Sequence, residues 1–137
     1  MLFRSTTNGI AAADDVIVPT LAEVSSAVGV MTTLQFCDLL REASPRDVRV
    51  AGVALVSMDM VRRREGMEAS IVDGAGRLGA TTFSTRVRCA VAARDAQERR
   101  VPLSEHAPAS TAARDYEELV EEYLDGIATI QIDNYNQ

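Results

Sequence analysis

Three short β-branched runs alternating with helix-length segments constrain this chain more than any other feature. The runs are Asp14-Asp15-Val16-Ile17-Val18-Pro19, residues 48–57 (VRVAGVALVS) and Thr82-Phe83-Ser84-Thr85-Arg86-Val87. Runs of this kind suit short buried strands. Strands that alternate with helices predict an α/β fold with a parallel sheet. About three strands make a small, partial sheet flanked by helices, and its edges stay exposed unless something covers them.

The helical segments differ in clarity. Residues 5–13 form a short helix weakened by Gly9, and Pro19 closes the first strand. The longest helix is expected over 23–43, with Val24, Val28, Met31, Leu34 and Leu39 as its inward stripe and Ser44-Pro45 as its stop. A helix over about 65–73 precedes a loop punctuated by Gly74, Gly76 and Gly79. Another covers 90–99, and a loop runs through Pro102 and Pro108. The last helix starts at Ser110 or Thr111, either of which can cap it. Its apolar face comprises Ala112, Tyr116, Leu119, Val120, Tyr123 and Leu124. Asp115, Glu117 and Glu118 sit in its early turns, where the helix dipole favours acids, and the other acids face outward. Residues 1–126 make one α/β domain. The tail, 127–137, either extends the last helix or adds a strand.

Charge narrows the chemistry. All 14 basic residues are arginine and none is lysine. A P-loop and a Schiff base both need lysine, so this chain builds neither. The net charge of −6 opposes nucleic-acid binding in bulk. Arg86, Arg88, Arg94, Arg99 and Arg100 nevertheless cluster against only Asp95 and Glu98, and Arg62, Arg63 and Arg64 form a second basic knot. Each group serves either as a phosphate-contact patch or as a solvated face, the first paired to the acidic last helix.

Other chemistry is sparse. Cys37 and Cys89 have no metal-type spacing and are expected as reduced, largely buried thiols. His106 stands alone in a Pro-flanked loop without a nucleophile motif, so no catalytic residue is assigned. No carboxylate grouping has metal-ligand spacing, and the methionines are packing residues. No apolar run reaches membrane-span length, and residues 1–5 lack the apolar core of a signal peptide. A cytoplasmic location is expected.

Four patches, in order, carry a resemblance. Ala11-Ala12-Ala13-Asp14-Asp15-Val16-Ile17-Val18-Pro19 resembles the "AAD-x-V-hydrophobic-I-P" stretch of ParA/MinD-type partition ATPases, with Glu23 and Gly29 at the family's following positions. Residues 49–56 look like its "ILGVLLT" strand, with Asp59 and Arg62 behind. Residues 83–88 occupy the place of "F-x-T-x-I-P", with Asp95-Ala96 for "E-A-P" and Pro102 for "G-x-P". Pro108 to Leu119 resembles "P-x-S-x-G-A-x-x-Y-x-x-L", with Ser110, Ala113, Tyr116 and Leu119 in register. The match covers about residues 6–125 and corresponds to the C-terminal half of a ParA-type P-loop NTPase. The family's deviant Walker A loop, switch I aspartate and switch II motif precede that region and have no counterpart here.

The resemblance implies an adenine pocket built by Val56, Ser57, Asp59, Val87, Arg88 and Asp95, with ATP and magnesium as the family's cofactors. For this chain alone no cofactor is expected. The family's "I-P-R" proline and arginine are replaced by Arg88 and Cys89, a further basic position is Ala92, and Asp95 stands for a glutamate. Family DNA binding implies nonspecific contacts by Arg86, Arg88, Arg94, Arg99 and Arg100. Two functions are then open. One is a partition-protein fragment or orphan half without ATPase activity of its own, acting by self-association or by pairing with a ParA-type or ParB-type partner. The other is part of an active nucleotide-dependent ATPase whose P-loop half is missing from this chain.

Overall fold

The computed structural model describes residues 4–43, 48–58 and 65–135. In chain order the elements are α1 (Arg4–Ala12), β1 (Asp15–Thr20), α2 (Val24–Ala43), β2 (Arg49–Met58), α3 (Glu65–Arg77), β3 (Thr82–Arg88), α4 (Val91–Arg99), α5 (Leu103–His106) and α6 (Thr111–Tyr135). The strands form one parallel sheet in the order β1-β2-β3, flanked by helices. This is the α/β architecture that the alternating pattern predicts.

Burial follows position in the sheet. Central β2 carries an unbroken buried run, residues 52–55, as a strand covered on both faces must. Edge strand β1 alternates instead, with Val18 and Thr20 buried and Ile17 and Pro19 exposed. Pro19 does not end this strand, contrary to the expectation, because an edge tolerates a residue without an N–H.

The chain divides into two compact units, Met1–Val53 with Arg64–Thr82, and Ala54–Arg63 with Phe83–Gln137. In the first, Ile10, Cys37 and Val48 form a core joined by Val16, Phe36, Leu40 and Val50. Arg41 donates from Nε and Nη2 to the Val48 carbonyl at 3.3 and 3.2 Å, fixing the start of β2 to the end of α2. Arg49 pairs with Asp15 at 2.5 Å across the β1–β2 ladder.

The inward stripe of α2 differs from the expected one. Val30, Leu34 and Cys37 are buried, whereas Val24, Val28 and Leu39 are 62–66% exposed. The helix is apolar nearly all round, so periodicity alone leaves its rotation undetermined. Helix α3 also continues through Gly74 and Gly76. Gly74 lies where an added Cβ would come 3.0 Å from Met31 Cε, so its missing side chain admits Met31 from α2. The helix stops at Gly79, whose φ of 74° supplies the left-handed residue of the terminating turn, with Ala80 donating to the Ala75 carbonyl.

In the second unit, Ser110 Oγ accepts from Ala113 N at 3.2 Å and caps α6, as expected. A short helix, α5, occupies the segment between Pro102 and Pro108 that is expected as loop. Helix α6 runs on to Tyr135, so the open question of the tail resolves as a helix extension. Among the described residues, no helix is long and apolar enough to cross a membrane.

Candidate functional site

Strand β3 is an outer strand of the sheet, and its outward amides need acceptors. Helix α6 supplies them with two carboxylates on one face, seven residues apart. Glu122 Oε1 accepts from Ser84 N and Oγ at 2.7 and 2.9 Å, and Oε2 accepts from Thr85 N and Oγ1 at 2.9 and 2.8 Å. Asp115 Oδ2 accepts from Arg88 N and Nε at 2.9 and 2.8 Å, and Oδ1 from Arg88 Nη2 at 2.5 Å.

Successive amides of a regular strand point to opposite sides, yet Ser84 N and Thr85 N both meet Glu122. Strand β3 is therefore locally irregular at these two residues, and the Glu122 carboxylate satisfies both amides.

These contacts correct the expected face of α6. Asp115 is 3% exposed and Leu119 8%, whereas Tyr116, Val120 and Leu124 are 44–54% exposed. The helix is rotated so that the 112/115/119 stripe, continued by half-buried Glu122, faces β3. The pattern is visible in the sequence at i, i+3, i+7 and i+10, but only to a template that admits carboxylates as inward residues. The hydrogen bonds from Arg88 lower the Asp115 pKa against the opposing effect of burial. For Glu122, burial raises the pKa, but the amide and hydroxyl bonds from Ser84 and Thr85 together lower it.

Beside this contact, a cleft of about 430 Å³ opens at the C-terminal ends of β2 and β3. Ligands of open α/β sheets bind at such strand ends. Ser57, in the left-handed conformation at φ 52°, stands at the end of β2, and Val87 and Arg88 end β3. Ala90, Ala93 and Ala96 give a small-residue wall, Arg94 and Gln97 add polar groups, and Tyr116 comes from α6.

Of the six expected base-contact residues, the structure places Ser57, Val87 and Arg88 in this cleft. Val56 is half-buried on β2 and Asp95 half-buried on α4, neither lining the cleft. Asp59 lies outside the described residues, as do Arg62, Arg63 and Arg64.

The expected arginine patch is divided. Arg86 folds back on its own strand and donates to the Phe83 and Ser84 carbonyls. Arg88 is engaged by Asp115 on the acidic helix. Arg94, Arg99 and Arg100 are exposed, the last as the left-handed C-cap of α4. Cys37 is buried as expected, and burial raises its thiol pKa. Cys89, by contrast, is exposed because it follows the last residue of β3 at the cleft. Half-buried His106 lies in α5. Among the described residues, no three His, Cys, Asp or Glu side chains form a group that could hold a metal ion.

A parallel sheet flanked by helices, with a cleft at its strand ends, defines an open α/β fold. The solved structure of apo McdA from Cyanothece, a ParA-type ATPase, matches this fold with a TM-score of 0.68 at 18% identity. The alignment covers 82% of this chain, which spans 45% of the length of that one. No protein-family profile and no curated protein sequence matches.

Proposed function

We propose that this chain is a ParA-like module of a DNA-partition or cargo-positioning system, and that it works by association rather than by hydrolysing ATP alone. The carrying observation is the ParA-like fold in a sequence with no lysine. A phosphate grip draws most of its strength from oriented amides and a lysine. The cleft walls suit a flat heteroaromatic group against Val87 and Ala90. They offer little grip for a triphosphate, because Arg88 is committed to Asp115 and the chain has no lysine.

Association is favoured by how the two outer strands differ. Helix α6 satisfies the outward amides of β3 at Ser84, Thr85 and Arg88, whereas β1 keeps Ile17 38% exposed. Within the same unit as β1, α2 displays Val24, Val28 and Leu39. Such surfaces are normally covered by a partner. A second copy of the chain is the first candidate, followed by a ParA-type or ParB-type protein. Exposed Arg94, Arg99 and Arg100 are the arginines left for nonspecific phosphate contacts, in a cytoplasmic setting.

The presence of the strand-end cleft favours a second reading, in which the chain is part of an active ATPase and the P-loop half lies elsewhere. Solution mass with and without ATP and Mg²⁺ separates the two.

A further inference from the structure

A second depression of about 430 Å³ runs along the outward face of α6, on the side away from its carboxylate contacts with β3. Leu103 of α5 and Ala113, Tyr116 and Val120 of α6 make an apolar floor, and Glu117 and Glu121 form an acidic rim. Tyr116 and Val120 are 44% and 54% exposed, and Leu124 extends the strip at 54%. An apolar strip of this kind at helical spacing, outside the core, marks a place where another surface packs.

We propose that this groove docks a basic amphipathic helix of a partner polypeptide, with aliphatic residues in the groove and Arg or Lys against Glu117 and Glu121. Three observations select that occupant. The β3 amides of Ser84, Thr85 and Arg88 are taken by Asp115 and Glu122, so an added strand would find those donors occupied. The strip from Ala113 to Glu121 is about 12 Å long, two turns of helix, which matches aliphatic anchors at i, i+4 and i+7. The rim is acidic on a chain of net charge −6, so charge complementarity calls for a basic partner. The inference refines the reading of the chain as an association module, but it concerns a face separate from β1 and α2.

The test uses the full chain and two fluorescein-labelled synthetic helical peptides. Both carry leucine at i, i+4 and i+7, one flanked by lysine and the other by glutamate, with anisotropy as the readout. The lysine peptide should bind about tenfold or more tightly than the glutamate peptide. The double variant E117K/E121K should reverse that order, and V120D should weaken the lysine peptide about tenfold. A control, E42K/E98K, makes the same change in net charge on exposed residues off the groove and should leave binding within about twofold. Equal affinity for both peptides, or equal losses in the control and the rim variant, would overturn the proposal. So would self-association that V120D abolishes, since the occupant would then be a second copy. Failure of the chain to self-associate through β1 and α2 leaves these readouts intact and bears only on the proposed function.

Discussion

Arg88 and Asp115 meet three times: the carboxylate accepts from both the backbone amide and the guanidinium of the same residue. One aspartate thus satisfies a strand-edge N–H and neutralises the cation beside it. Asp115→Ala leaves that N–H without its acceptor, a loss of about 1 kcal/mol. Urea denaturation should show a lower midpoint with an unchanged slope. Asp115→Asn, which keeps an acceptor, should lose less.

Both contact carboxylates have lowered pKa values in the folded chain. An acid whose folded pKa is depressed stabilises the fold above its unfolded value and loses that contribution as pH falls through the folded one. Stability should therefore be flat near neutrality and decline from roughly pH 4 downward. Thermal melts from pH 7 to 2.5 would show this, and Glu122→Gln should make the decline shallower.

Two glycines near the end of α3 should respond with opposite signs. Gly76 is helical with open space where a Cβ would go, so Gly76→Ala should stabilise by about 0.5–1 kcal/mol. Gly79 has φ of 74°, and Gly79→Ala should destabilise by about 1 kcal/mol. Parallel thermal melts of the two variants check both signs.

The thiols should differ sharply. Exposed Cys89 should react with an aromatic disulfide reagent within seconds to minutes, while Cys37, buried and with a raised pKa, should react only as the chain opens. Titration in buffer should give one fast thiol, and in denaturant two.

The fold was legible because strands 14–19, 48–57 and 82–87 announce themselves by β-branching, and the helices between them force parallel pairing. Helix rotation was less legible. In α2, Val24 and Val28 are as apolar as Val30 and Leu34, so composition gave no way to choose the inward side. In α6, the inward stripe contains Asp115 and Glu122, acids whose burial depends on outward amides of β3 some thirty residues earlier. No local pattern records that dependence. Gly74 misled for a similar reason, since its role is set by Met31 on another helix. Of the residues lining the cleft, Ser57, Val87 and Arg88 are ones the resemblance points to as a base pocket, while Tyr116 and the alanine wall come together only once β3, α4 and α6 are in place.

The most direct test of the association account is solution mass by light scattering at micromolar concentration, with and without ATP and Mg²⁺. The account predicts a species of twice the 14.8 kDa chain mass, unchanged by nucleotide. A well-folded monomer under both conditions would contradict it, and a monomer that dimerises only with ATP would show that the chain holds a working nucleotide site.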